Sequence, residues 1–435
     1  MIEVRNPYSQ ELVQAVPEAG LPELDAAIER ARAAFAEMRR LPAHRRSAIL
    51  AGVSARLDAE RERFARLITA ECGKPIREAR GEVIPMDIAP AGEGRVALTR
   101  RFPLGVIGAI TPFNFPLNLV LHKVTPALAA GNTVVLKPSP RTPLTALALA
   151  ELFAQAGLPD GALVVVSGGA DVGQAMARDG RLKLLTFTGS AAVGWGLKAA
   201  AGKKKVTLEL GGNCGAVVHA DADLKHAAQR IAVGGFTFAG QSCVSVQRVF
   251  VHAGACEKLL SLLLPMVSGL RVGDPADEAT DVGPMIDLAA AERAEAWVRE
   301  AVEGGAKVLA GGRREGSLFW PTVLTRTAPA MKVNCQEVFA PVVTVSTYEN
   351  FGEALRAVND SPYGLHAGVF TRDVKLSFQA FEELEVGGVV VNDVPTYRVD
   401  HMPYGGMKDS GTGREGLRYA IEEMTETKIL ILNLG

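Results

Sequence analysis

Cys243 follows Gly-Gln-Ser in the segment 240–248 (GQSCVSVQR) and stands just ahead of an apolar stretch. An ionised thiol at such a point is a strong nucleophile, although free cysteine also serves widely as a small buried hydrophobe. No histidine stands at a telling spacing from it, so the candidate bases are carboxylates. Glu209 ends the apolar segment of 207–212 (TLELGG) ahead of two glycines. Burial there would raise its pKa toward neutrality and suit it to proton transfer; the other reading is an ordinary strand-terminal charge in solvent. Asn114, set among aromatics and prolines in 111–116 (TPFNFP), is either a rigid amide donor to an oxyanion or a turn-former. In 187–194 (FTGSAAVG) a strand runs through Gly189 and Ser190 into a helix start, where backbone N–H groups can cradle a phosphate. That turn is not a GxGxxG fingerprint. Lys137, in 135–140 (VLKPSP), ends another strand and can reach a ribose or phosphate, or simply be solvated.

Positioning these groups takes a parallel sheet. The first hundred residues read as helices, with Ile28, Ala31, Phe35 and Met38 at helical spacing and Ile49, Val53 and Leu57 following a Ser47 cap. From residue 104 short apolar strands (105–110, 132–137, 162–166, 183–187, 205–210) alternate with helices (116–130, 142–156, 170–178, 190–200). That pattern predicts a sheet covered on both faces, which binds ligands at the carboxyl ends of its strands. A second run covers 214–392, with strands at 215–218, 248–252, 341–347 and 387–391. The terminal strand 427–432 has no local partner, and 93–103 alternates well enough to supply a distant one.

The chain has 435 residues, 48% of them hydrophobic and 22% charged, with 47 Lys plus Arg against 48 Asp plus Glu. That length predicts two or three domains, and the balance gives no basic field for general nucleic-acid or membrane binding. No apolar run approaches the ~20 residues of a spanning helix, and the charged N-terminus does not read as an export signal. Five cysteines without CxxC spacing argue against a disulfide framework and a zinc site. A cytoplasmic protein with no metal is expected.

Taken in order, TPFNFP (111–116), VVLKPS (134–139), FTGS (187–190), LELGG (208–212), GQSC (240–243), EVFAPV (337–342) and MPYGGMKDSGTGREG (402–416) closely resemble the aldehyde dehydrogenase superfamily over nearly the whole chain. The resemblance implies an α/β fold of two doubly wound parallel-sheet domains plus a small β bridging and oligomerisation element. The dinucleotide-binding domain would take 1–89 and 105–211, the catalytic domain 212–424, and the bridging strands 90–104 and 425–435. It implies Cys243 as nucleophile, Asn114 with the Cys243 N–H as oxyanion donors, and Glu209 as the base that activates water against a thioester. NAD or NADP would be held by Thr111, Pro112, Phe113, Lys137, Ser139, Gly189, Ser190, Gly211, Glu337 and Phe339. Homodimers or homotetramers joined through the terminal strands are implied as well.

The stretch 392–411 looks most like lactaldehyde, succinic semialdehyde and non-phosphorylating glyceraldehyde-3-phosphate members. In it Arg398, His401 and Tyr404 are expected at the substrate, with Arg398 either gripping an anion or pairing with Asp400 or another acid at the rim. The chain departs from the family in four places: Pro140 and Arg141 stand where an acidic residue is common, Ala340 replaces a glycine, 72–87 looks shortened, and the opening hairpin is expected to be missing. A coenzyme-A-acylating enzyme, which Glu209 argues against, and a non-catalytic protein retaining the fold are the alternatives.

Overall fold

In the computed structural model, which describes residues 1–38, 41–81 and 97–431, the chain opens with an antiparallel hairpin of β1 (Ile2–Arg5) and β2 (Leu12–Val16). The expectation of a missing hairpin is therefore wrong. In each strand a single residue, Val4 or Val16, is fully buried, so little alternation marks the pair. Helices Leu21–Met38, Ala43–Ala59, Arg61–Cys72 and Ile76–Gly81 follow. Ser47 caps nothing: the second helix begins after Pro42, whose missing N–H costs nothing at a helix start. Of the stretch expected to be shortened, residues 82–87 lie outside the described residues.

β3 (Ala97–Pro103) precedes a run of five parallel strands: β4 (Val106–Ile110), β5 (Thr133–Lys137), β6 (Leu163–Val165), β7 (Leu182–Thr188) and β8 (Lys205–Glu209). Their spatial order is β8-β7-β4-β5-β6, so the winding reverses between β4 and β7. Ligands of open α/β sheets bind outside the carboxyl ends at such a reversal. Ile107, Ala109, Val134 and Leu136 face one core, against helices Asn118–Ala129 and Pro143–Gln155. Val106, Ile110, Val135 and Leu185 face the other, against Ile28, Val172 and Met176. Burial on both sides explains why these strands are continuous apolar runs.

The second sheet comprises β9 (Gly215–Val218), β10 (Arg248–His252), β11 (Lys307–Ala310), β14 (Thr322–Thr325), β15 (Val342–Tyr348), β17 (His366–Phe370) and β18 (Gly388–Val391), in the order β11-β14-β15-β10-β9-β17-β18. Small pairs join β12 (Arg314–Glu315) to β13 (Leu318–Phe319) and β16 (Tyr363–Gly364) to β19 (Met407–Lys408). Residues 210–214 alone separate β8 from β9, so the carboxyl edge of the first sheet adjoins the amino edge of the second. Two late strands then return to the first half of the chain. β20 (Gly411–Thr412) pairs antiparallel with β8, Gly411 opposite Glu209. β21 (Thr425–Ile431) pairs antiparallel with β3 along its whole length, the distant partner that its isolation in sequence demanded.

Gly411 makes the β20–β8 pairing possible. Its φ is +136°, and a Cβ there would lie 2.0 Å from the carbonyl oxygen of Leu208. Gly411→Ala is expected to cost about 2 kcal/mol or more of stability, measured by urea denaturation. A variant as stable as the parent would show that this contact does not anchor the C-terminal return.

Candidate active site

Cys243 is delivered by a strained turn. Phe238, Ala239 and Gly240 have φ of 51°, 53° and 66° in succession, each costly for a residue with a side chain. The fully buried Gln241 holds the turn in place. Its amide donates to the carbonyls of Phe238 and Pro284, and its side-chain oxygen accepts the N–H of Ile286 at 2.8 Å. Asn114 joins this clamp, since its Nδ2 donates to the Gln241 carbonyl at 2.9 Å. The second amide hydrogen of Asn114 is left for another acceptor.

The Cys243 sulfur packs with Cys214, Val244, Leu365 and Tyr404. Its Sγ lies 3.0 Å from the Tyr404 hydroxyl. Burial pushes the thiol up to about 12, opposed by the Tyr404 hydrogen bond and by Arg398. Glu209, the last residue of β8, is buried, and among the described residues neither carboxyl oxygen has a hydrogen-bond partner. Burial, then the charge of Glu415, holds its pKa well above the usual carboxylate range. The backbone beside Tyr404 touches it: a methyl group on Gly405 would lie 3.0 Å from Glu209 Oε1.

Glu415 is the charged centre of this region. It accepts Lys123 Nζ at 2.8 Å and Arg398 Nη2 at 3.3 Å, with the Lys123 and Glu415 side chains almost wholly buried. Burial alone would raise its pKa, but Lys123 and Arg398 together hold it below the ordinary value. The Arg398 guanidinium stacks 3.8 Å from the Tyr404 ring centroid, and its Nε is buried without a partner among the described residues. Arg398 thus pairs neither with Asp400 nor with an acid at the rim. Asp400 reaches His122 instead, at 3.4 Å. His401 is exposed, apart from this cluster. Lys123 and Glu415 were missed in sequence; a lone lysine within the apolar helix Asn118–Ala129 was the available signal.

The remaining candidates stand at the ends of β4, β5, β7 and β8 and in the loop before β15. Thr111 and Thr188 bring to the ends of β4 and β7 buried hydroxyls that have no hydrogen-bond partner among the described residues. Gly189 and Ser190 precede helix Ala191–Ala200. Lys137 ends β5 and donates to the Pro138 carbonyl at 3.3 Å, and burial lowers its pKa to about 8 against the pull of Asp171. The Ser139 hydroxyl accepts the N–H of Arg141 at 3.2 Å. Pro112 and Phe113 follow Thr111 on the strand exit, and Phe113 meets Phe339 edge-on at 5.9 Å. Glu337 accepts the N–H of Gly212 at 3.1 Å, and a Cβ on Gly211 would fall 2.1 Å from its Oε2. Burial raises Glu337 to about 7, with Gly212 and Arg293 opposing. The unpartnered hydroxyls, helix start and carboxylate fit a dinucleotide laid across the switch point. Among the described residues no cluster of His, Cys, Asp or Glu could hold a metal ion, and no helix is long and apolar enough to cross a membrane.

A family model described as the aldehyde dehydrogenase family matches residues 1–89 and 84–430. A 3-sulfolactaldehyde dehydrogenase of Priestia megaterium is 46% identical over 455 aligned residues, covering 100% of this chain and 95% of the relative. Aldehyde dehydrogenase 21 of Physcomitrella patens, solved with the reaction product succinate, superimposes with a TM-score of 0.95 at 42% identity, covering 99% of this chain and 95% of that one. A glyceraldehyde-3-phosphate dehydrogenase of Methanocaldococcus jannaschii complexed with NADP gives a TM-score of 0.95 at 38% identity, covering 99% of both chains.

Removing one partner from a buried ion pair costs about 3–5 kcal/mol, because the other charge is left unpaired. Lys123→Met is therefore expected to destabilise the protein by that order, measured by denaturant unfolding. A loss below about 1 kcal/mol would mean that Arg398 alone suffices for Glu415.

Proposed function

Because this chain belongs to the aldehyde dehydrogenase family, we propose that it oxidises a small anionic aldehyde to its carboxylic acid through a covalent adduct on Cys243. It is an NAD(P)-dependent aldehyde dehydrogenase. Two observations support the residue assignment: Asn114 donates to the carbonyl of Gln241, two residues before Cys243, and Glu209, a buried carboxyl without a hydrogen-bond partner among the described residues, acts electrostatically on the Cys243 thiol.

In this reading the Cys243 thiolate adds to the aldehyde carbon, and the free Asn114 hydrogen with the Cys243 N–H receives the oxyanion. When bound, the nicotinamide supplies the hydride acceptor that turns the adduct into a thioester. Thr111, Gly189 and Ser190 would hold the pyrophosphate side of the cofactor, with Pro112 shaping the strand exit. Lys137 and Ser139 would hold the adenosine ribose, and Glu337 and Phe339 the nicotinamide ribose and ring, with Phe113 and Gly211 beside them. Pro140 brings no carboxylate to repel a 2′-phosphate, and the exposed Arg141 pairs with Asp287 at the surface, so NADP is accepted along with NAD. Glu209 takes the proton of the water that hydrolyses the thioester. Its raised pKa leaves it protonated, and inactive as a base, at low pH, so hydrolysis speeds up as pH climbs through that pKa.

Arg398 deepens the substrate assignment. Its guanidinium is held by Glu415 while its Nε has no partner among the described residues, which suits a second anion. Relatives named for 3-sulfolactaldehyde and glyceraldehyde-3-phosphate, and one solved with succinate, carry a sulfonate, a phosphate or a carboxylate on that molecule. Leu98, Ile429 and Leu430, exposed on the β3–β21 ribbon, support self-association into a homodimer or homotetramer. Five free cysteines support the cytoplasmic placement.

Cys243→Ala is expected to abolish NAD(P)H formation from aldehydes, and Glu209→Gln to leave a rapid first burst followed by a very slow phase. Burst and steady state falling together would assign Glu209 to thiol activation instead. Running the same absorbance assay with and without coenzyme A separates hydrolysis from acyl transfer to a thiol, and silence with every aldehyde would indicate a non-catalytic protein. Anionic aldehydes should exceed neutral ones of similar size by roughly tenfold to a hundredfold in kcat/KM, given ~1.5–3 kcal/mol for a charge-assisted hydrogen bond. Arg398→Lys, which keeps the charge toward Glu415 but loses the planar fork, should erase most of that preference. Equal losses on both kinds of aldehyde would make Arg398 structural.

A further inference from the structure

Tyr404 is expected at the substrate, and its hydroxyl has a neighbour of another kind. Among the described residues its one hydrogen-bond partner is Cys243 Sγ, at 3.0 Å. The ring is clamped on every side that matters. Arg398 covers one face at 3.8 Å, and His366 meets it edge-on at 4.9 Å. Its backbone exchanges two hydrogen bonds with Glu415, Tyr404 N–H to Glu415 O at 3.0 Å and Glu415 N–H to Tyr404 O at 2.7 Å. The hydroxyl therefore stands over the sulfur without a rotamer search.

We propose that the Tyr404 hydroxyl donates to the Cys243 sulfur and stabilises the thiolate, so that Tyr404 acts on the nucleophile itself. The proposal rests on Cys243 being the nucleophile. The other titratable and charged groups acting on this sulfur are Glu209 from β8, Glu337 from the loop before β15 and Arg398, with the Cys214 thiol, from the link to β9, beside them; His366 of β17 meets the Tyr404 ring. Both carboxyls and the second thiol disfavour a negative sulfur. Arg398 favours it from behind the ring. Its positive charge over the phenol also makes the O–H a better donor, and burial keeps that interaction unscreened. On ionisation the thiol gives its proton to water and the phenol keeps its own, so the sulfur gains a charge-assisted bond in place of a neutral one. When the carbon–sulfur bond forms, the sulfur becomes a poor acceptor and the hydrogen bond loosens. The stabilisation thus acts on the attacking state and not on the adduct.

The test is the pH dependence of Cys243 alkylation by iodoacetamide in the full-length enzyme without cofactor, read by mass spectrometry on the Cys243 peptide. Tyr404→Phe keeps the ring and the Arg398 stack. It should slow alkylation roughly tenfold or more at pH 8 and move the midpoint to higher pH, while a purely structural role would leave the midpoint where it is. Replacing Tyr404 by 3-fluorotyrosine, a more acidic phenol, should move the midpoint to lower pH, and it decides the matter if Tyr404→Phe does not fold. An unmoved midpoint overturns the proposal. Alkylation is read on Cys243 directly, so a failure here is distinct from retained aldehyde oxidation in Cys243→Ala, which would overturn the nucleophile assignment.

Discussion

The carboxylate of Glu415, buried between Lys123 and Arg398, is the interaction from which the candidate site hangs. A lone carboxylate in that interior would be neutral or displaced; two cations keep it ionised. It fixes the guanidinium of Arg398, which in turn covers the Tyr404 ring against the Cys243 sulfur. Burial, and after it that same negative charge, raise the pKa of Glu209 above the usual carboxylate range. One ion cluster therefore adds to the raised pKa of the proposed base and sets the geometry of the thiol's neighbour. It also joins distant parts of the chain, since Lys123 belongs to the helix after Asn114 and Glu415 to the C-terminal return.

Strand order supplies the other half of the arrangement. The reversal between β4 and β7 opens a crevice on the first sheet, and the short link from β8 brings the amino edge of the second sheet up to it. Glu209 ends one sheet while the strained turn before Cys243 leads into β10 of the other. The strain at Phe238 and Ala239 is sustained because Gln241 ties the turn to Phe238, Pro284, Ile286 and Asn114. Neither half-site is complete within one sheet.

Much of this was legible in the sequence, for reasons that differ by element. The strands of the parallel sheets were visible because burial on both faces writes itself as unbroken apolar runs, as in 134–136. Local context offered Cys243, Glu209 and Asn114 only as candidates beside structural readings, and the roles proposed for them came from the resemblance of seven ordered segments to the family. The opening hairpin was hidden because each of its strands sends so little inward. Pro42 rather than Ser47 starts the second helix, a case where the absence of an N–H outweighed a capping hydroxyl. The partner of Arg398 could not be read at all. Asp400 is nearer in sequence, but the path of the 392–406 loop turns Arg398 inward to Glu415 and leaves Asp400 to His122. Side-chain pairing across a loop depends on that path, which neither composition nor spacing records.

Residues 210–214 have almost no slack. Leu210 N–H is bound to Ser410 O, Gly211 lies against Glu337, and the Gly212 N–H is held by that same carboxylate. The Asn213 amide donates to Asn334 O and accepts the Ser361 hydroxyl, and the Cys214 carbonyl takes the N–H groups of Gln247 and Arg248. One inserted residue would add about 3.3 Å of extended chain and pull the Glu209 carboxyl out of register with the thiol. Changes of length are cheap where a surface loop can absorb them; here a gain or loss of even one position would uncouple the two sheets. This link acts as a fixed ruler, and the spacing of the proposed base from the nucleophile is written into its five-residue span.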